Sequence, residues 1–420
     1  MGCKNQNEKG ANKPLVYVKE NDSGYQLIRN GKPFYIKGGA AKPDYLQELK
    51  AAGANAARIY DTINLAQTLD HAHKLGLAIV VDIPLPEYKN NPYYFEKDEY
   101  FLPMKQGVER IVRQHKDHPA LLYWNLGNEL FYPYFFKNTK FFTNFNILID
   151  LIKEIDPNHP VSTVTIGSNR VRILSIHRKS PQLDFISSNS FGSLGDFSKR
   201  IESLSLFWQG PHVISEWGSN GVWEVGKTYW DAPFEETSTK KAEQIKQRHQ
   251  DYIDPLEENN SLGSFVFFWG QKDEHTPTWF SLFREDKKKS QAIFELSNIW
   301  KNTQLKYDGP LLDSILLDNQ GIPHSIILLP NSVAESEIFY PNKASADYRI
   351  QWELRYESWV NYEESVIVEN IEFQTNGKKT TFITPKEEGA YRLFLYLTND
   401  SEYFATANIP FYVLNPLDEE

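Results

Sequence analysis

Eight short runs rich in β-branched, aliphatic and aromatic residues punctuate this chain between residues 34 and 302, and helix-like stretches separate them. The runs fall at 34–38, 55–60, 78–83, 121–125, 161–165, 184–188, 212–215 and 264–269. Between the second and third, residues 65–75 read Leu-Ala-Gln-Thr-Leu-Asp-His-Ala-His-Lys-Leu, a helical period. A second such stretch covers 107–115. This alternation calls for βα units and a parallel sheet. Eight units over a span of roughly 270 residues suit a closed (β/α)8 barrel, an α/β fold of about 250 residues. A doubly wound sheet would need a glycine-rich phosphate turn after its first strand. Gly38-Gly39-Ala40-Ala41 is not that turn.

The flanks read differently. Residues 25–36 form a hairpin pattern, with Asn30-Gly31 as a type I′ turn, placed to cap the bottom of the barrel. After residue 303 helical periodicity fades. Alternating runs at 348–356, 365–373, 380–384, 390–398 and 404–413 predict an antiparallel, immunoglobulin-like β-sandwich. The expected organisation is a flexible tether over 1–23, a barrel over 24–303, a linker over 304–324 and the sandwich over 325–420. Trp352 and Trp359 are few for a sugar-binding module, so the sandwich is expected to be structural.

Charge and cysteine usage remove other classes. The formal net charge is −10, which argues against a nucleic-acid partner. The run Lys287-Lys288-Lys289 reads as a solvated loop. No apolar run reaches the length of about 18 residues that a membrane-spanning helix needs. Cys3 is the single cysteine, so no disulfide can form within the chain. Met1-Gly2-Cys3-Lys4-Asn5-Gln6-Asn7 resembles the start of a bacterial lipoprotein after signal-peptide removal. That implies a secreted protein whose membrane contact is a lipid on Cys3, acting as a monomer.

Active groups of a barrel sit at the carboxyl ends of its strands. The second run ends in Arg58-Ile59-Tyr60-Asp61 and the fourth in Asn128-Glu129. The sixth leads into Asn189-Ser190-Phe191, the seventh into Glu216-Trp217-Gly218 and the eighth into Trp269-Gly270-Gln271. Two carboxylates from different strands, Glu129 and Glu216, fit glycoside hydrolysis: one protonates the leaving oxygen while the other attacks the anomeric carbon or activates water. Asn128 can hold a sugar hydroxyl, and Arg58 can keep a nucleophile ionised. Asn189, Trp217, Trp269 and Gln271 join them as substrate-binding candidates from the strand ends, and Tyr132, Trp223 and Trp230 from the loops. His71 and His73 do not share a helix face, and Asp273-Glu274-His275 lacks a ligand spacing, so no metal site or cofactor is expected.

These motifs resemble glycoside hydrolase clan A over roughly residues 24–302. The segments carrying the resemblance are "RIYD" at 58–61, "HPALLYWNLGNE" at 118–129, "VISEWG" at 213–218 and "WGQKDEHTPTWF" at 269–280. They are similar to the barrels of family 2-like bacterial enzymes. A barrel followed by a sandwich also resembles family 158, whose members are endo-β-1,3-glucanases. The resemblance implies a retaining β-glycosidase acting on a polysaccharide such as laminarin-type glucan. Glu129 would then be the acid/base, Glu216 the nucleophile, Asn128 the 2-hydroxyl ligand and Trp269 the platform under the sugar. Transglycosylase or exo action, or a non-catalytic glycan-binding lipoprotein, would use the same barrel. Clan A enzymes commonly place a tyrosine against the nucleophile, on the sixth strand, where this chain has Phe191. Tyr132, Tyr134 and Tyr229 are the substitutes the sequence offers.

Overall fold

The computed structural model of the chain describes residues 15–416, apart from 23, 138, 342–347 and 360–364. Cys3 and the lipid anchor expected on it lie outside those residues. Three short strands come first: β1 (Val16–Asn21), β2 (Gly24–Arg29) and β3 (Lys32–Pro33), in one antiparallel sheet. Asn30 and Gly31 turn between β2 and β3 with φ 50° and 74°, as a type I′ turn requires. The expected tether is therefore shorter than 1–23. β1 pairs along its whole length with β2, and Val16 and Leu27 are buried against the barrel floor. Each such apolar side chain contributes about 1.5–3 kcal/mol over leaving it in water.

The eight predicted runs coincide with eight parallel strands that close into a barrel: β4 (Ile36–Ala41), β5 (Ala56–Ile59), β6 (Ala78–Ile83), β7 (Leu121–Asn128), β8 (Val161–Ile166), β9 (Phe185–Asn189), β10 (His212–Trp217) and β11 (Ser261–Trp269). Their near-continuous burial reflects helices outside and a filled interior. The helix Leu65–Leu75 shows how the outer layer docks. It buries Leu65, Thr68, Leu69 and Ala72 along one stripe and stops at Gly76, which takes the left-handed φ of 70°. Inside the barrel the amino-terminal half is apolar, with Tyr123, Phe185 and Phe265. Towards the carboxyl end it turns polar, with buried Arg58, Asp82, Asn125, Ser187 and Ser215.

Beyond the barrel come β12 (Lys289–Ser290), β13 (Ser314–Leu317), β14 (Ile326–Leu328), β15 (Val333–Phe339), β16 (Arg349–Tyr356), β17 (Gln374–Asn376), β18 (Lys379–Ile383), β19 (Gly389–Thr398) and β20 (Tyr403–Val413). One sheet runs β13-β15-β18-β17; the other runs β12-β20-β19-β16, with β14 added beside β20. Leu317, Ile338 and Phe382 of the first meet Leu395, Ile409 and Phe411 of the second in one apolar cluster. The expected linker is not a free connection, because β13 within it pairs with β15 and buries Leu317. Residues 365–373 form no strand, only an isolated bridge from Ile367 to Arg355.

The join between barrel and sheets holds a buried polar network. Glu235, 2% exposed, accepts hydrogen bonds from Lys241 Nζ at 2.5 Å, Thr276 Oγ1 at 2.6 Å, Thr278 Oγ1 at 2.8 Å and Asn408 Nδ2 at 2.6 Å. Arg392, on β19, donates to Asn408, to the Pro233 carbonyl and to both oxygens of buried Glu357. The lysine run is also not simply solvated. Lys288 Nζ donates to the Ser401 carbonyl and Lys289 pairs with Glu402.

Candidate active site

Glu129 and Glu216 stand at the carboxyl ends of β7 and β10. β7 pairs irregularly with β8 between Asn125 and Asn128, and the chain leaves it through two left-handed residues, Gly127 at φ 76° and Glu129 at φ 52°. At Gly127 a Cβ would lie 2.5 Å from the Leu130 side chain, so glycine is needed there. The left-handed Glu129 carries strain of about 1–3 kcal/mol. Its N–H is held by the Val164 carbonyl at 3.1 Å and its carboxylate by Asn189 Nδ2 at 2.8 Å.

Arg58 is the centre of the network. It is fully buried and uses every nitrogen. Nε lies 3.1 Å from both oxygens of Asp82, and Nη2 lies 2.6 Å from Asp82 Oδ2 and 2.8 Å from Asn128 Oδ1. Nη1 reaches Glu216 Oε1 at 2.9 Å and Asn189 Oδ1 at 3.3 Å. Ser215 Oγ donates to Asn189 Oδ1, which turns the Asn189 amide NH2 towards Glu129 and Asn128. Tyr60 completes the set: its hydroxyl donates to Glu216 Oε1 at 2.8 Å.

The two acids thus sit in unlike surroundings. Glu216 accepts from a guanidinium and a phenol, both of which favour its anion. Glu129 accepts from one neutral amide. Burial pushes Glu216 up to about 7, with Arg58 pulling against it and the charge of Glu129 adding to it. Burial also raises Glu129, opposed by Asn189 and Arg58. Burial, then the charge of Glu216, raises Tyr60 well above the usual phenol range, so it remains a neutral donor.

Both carboxylates line a cavity of about 450 Å³, together with Tyr60, Asn128 and Asn189. Phe191, Phe267, Phe280 and the exposed Trp223 give it an apolar wall. Two larger clefts, about 830 and 790 Å³, open beside the starts of β4 and β9, at the opposite end of the strands.

Of the predicted contacts, Asn128, Asn189 and Trp223 line this cavity, and the others lie elsewhere. Arg58 is beneath it, sealed under Glu216 and Asn128. Trp269 is fully buried outside the barrel against Trp300 and Phe283. The reason is a register shift between β11 and β4 after Val266, which puts Trp269 on the helix-facing side with Val266 and leaves Phe267 facing the cavity. Trp217 follows the inward Glu216, so alternation turns it outward, against His249. Tyr132 is buried between Phe141 and Phe145 with its hydroxyl on Thr163. Trp230 packs on Tyr412, and Gln271 faces Arg284 and Glu353 at the join with the sheets.

The partner of Glu216 is none of the three tyrosines the sequence offered. Tyr134 is exposed and stacks on Phe136, and Tyr229 is 93% exposed. Tyr60 takes the role from β5, and one signal for it was present. It stands two residues after Arg58, on the same face of an extended segment. Asp82, which anchors Arg58, ends the third run in the same way.

An eight-stranded parallel barrel holding one buried and one half-buried carboxylate at the carboxyl ends of different strands has the architecture of a glycoside hydrolase. The chain belongs to the glycosyl hydrolases of family 2, whose TIM barrel domain matches residues 43–305. Family 2 replaces the family 158 suggested by the two-part architecture. The β-glucuronidase of Homo sapiens is 23% identical over 335 residues, 70% of this chain and 48% of that protein. The chain therefore spans about half the length of the curated relatives it matches. Among solved structures, the β-D-glucuronidase of Dictyoglomus thermophilum superposes with a TM-score of 0.51 at 18% identity, over 70% of this chain and 54% of that one. A family 2 β-galacturonidase from Eisenbergiella tayi gives 0.51 at 14%, over 70% and 55%. At these identities the likeness is one of fold.

Proposed function

We propose that the chain is a retaining β-glycosidase, with Glu216 as nucleophile and Glu129 as acid/base. The observation that carries this reading is the unequal donor set on the two acids. The two acids are linked, because the charge of Glu129 raises the proton affinity of Glu216. In the reacting complex the guanidinium and phenol hold Glu216 as its anion against the upward push of burial, and Glu129 carries the proton. Glu216 attacks the anomeric carbon while Glu129 gives its proton to the leaving oxygen. Glu129, now a carboxylate, then takes a proton from water, which displaces Glu216 from the sugar. Asn128 and Asn189 edge the cavity as hydrogen-bonding groups, and Trp223 with Phe267 offers faces for a pyranose ring.

The C-terminal sheets are read as an immunoglobulin-like sandwich with a structural role, and the glycan substrate as a β-linked polysaccharide or a fragment of one. Laminarin-type β-1,3-glucan, aryl β-galactosides and aryl β-glucuronides form the first panel. Hydrolysis of any of them with net retention, followed by NMR of the first-formed anomer, supports the mechanism; inversion removes it. Glu216→Ala should abolish turnover. Glu129→Ala should be partly rescued by azide on an activated aryl glycoside, and an unrescued variant would count against acid/base duty.

A further inference from the structure

The charged groups lining the cavity are one-sided. Glu129, Glu216, Glu224 and Glu274 supply carboxylates, and Lys272 is the one cationic side chain among the lining residues. Arg58 adds no positive surface, being buried and bonded to Asp82 and Glu216. Glu224 accepts the backbone N–H groups of Gly192 and Gly221, which fixes it in the loop wall. Lys272 sits 2.7 Å from Glu274 Oε2, with its ammonium 4.8 Å from the Phe267 ring centre. Both groups line the same cavity as the catalytic pair, and both act on the charge of Glu129. Glu274 is 7% exposed, so its charge is shielded little by solvent.

Resting on the glycosidase reading above, we propose that Glu274 is a specificity residue, which cancels the single cavity cation and restricts the site to β-glycosides whose reacting sugar is uncharged. A uronate entering this cavity would lose its water beside the carboxylates of Glu216, Glu224 and Glu274 and meet an ammonium already compensated by Glu274. A neutral hexose needs only hydrogen-bond partners and an apolar face, and the cavity supplies both.

The test uses the full chain and two covalent probes of retaining glycosidases, a cyclophellitol aziridine and its 6-carboxylate, each in gluco and galacto configuration. Labelling rates are read by intact mass. The wild-type chain should react faster with the neutral probe, by at least about tenfold, the effect of one or two like charges at partly buried range. Glu274→Gln should shrink the neutral-to-carboxylate ratio at least roughly fivefold, by leaving the Lys272 charge unopposed by that carboxylate. Lys272→Gln should not lower carboxylate labelling relative to neutral labelling. Faster labelling by the carboxylate probe, or an unchanged ratio in Glu274→Gln, overturns the proposal and leaves the glycosidase reading standing. Wild-type protein labelled by neither probe overturns the glycosidase reading itself. Circular dichroism and residual neutral labelling establish that each variant is folded.

Discussion

Tyr60→Phe is the most direct probe of what holds the nucleophile. It deletes one hydroxyl and keeps the ring, which lies edge-on to Phe267 at 6.3 Å and under the Arg58 guanidinium at 4.5 Å. The lost contact is a 2.8 Å hydrogen bond from a neutral phenol to a buried carboxylate. Hydrogen bonds to charged groups contribute about 1.5–3 kcal/mol. At about 1.4 kcal/mol per factor of ten, kcat/KM should fall roughly ten- to hundredfold. The pH profile carries a second signature. The phenol favours the anion of Glu216, so its removal raises the proton affinity of that carboxyl. The acid limb of kcat/KM, set by ionisation of Glu216, should move to higher pH. The assay is initial-rate hydrolysis of an aryl β-glycoside across the acid and neutral range. Tyr132→Phe is the control, because its hydroxyl bonds Thr163 away from the cavity. A Tyr60→Phe enzyme within twofold of wild type, with an unmoved acid limb, would refute the assignment.

Three further outcomes follow from the geometry. Trp223→Ala should raise KM with little change in stability, since its ring is 61% exposed at the cavity rim, whereas Trp269→Ala should cost about 3–5 kcal/mol in urea unfolding because its ring is fully buried. Glu129→Gln should stabilise the fold more at pH 8 than at pH 5. The folded-state proton affinity of Glu129 is raised, so the wild type has its full contribution at low pH and loses it as pH rises through the folded value, a loss the amide does not suffer; equal gains at both pH values would contradict this. Arg392→Ala should cost about 3–5 kcal/mol, because it leaves Glu357 buried without its cation, and calorimetry reading less than 1 kcal/mol would show the pair to be dispensable.

The barrel was legible because a parallel strand covered on both faces is apolar throughout, and eight such runs leave few alternatives. Glu129 and Glu216 were legible because strand ends are where a barrel keeps its chemistry. The aromatic contacts were not. Trp269 was expected as a sugar platform and Trp217 and Tyr132 as substrate contacts, yet facing is decided by register. One irregularity in β11 exchanged Trp269 for Phe267 at the cavity wall. Tyr60 was not legible as the partner of Glu216 because their contact joins the ends of β5 and β10, 156 residues apart along the chain. β13 and β15 were missed for a different reason. β13 is only four residues long, and β15 turns Ala334, Ser336 and Ile338 inward, a face with little apolar pattern to read.

The buried knot of Glu235, Lys241, Asn408, Arg392 and Glu357 bears on how such a chain can be recombined. Accessory modules on flexible linkers can be exchanged between enzymes like beads on a string. Here a cut between barrel and sheets would strip Asn408 from Glu235 and open the Pro233 carbonyl and the Thr276–Thr278 segment to water. That segment leads directly to Phe280 on the cavity wall. The two parts are therefore expected to be inherited, and to be engineered, as one indivisible block.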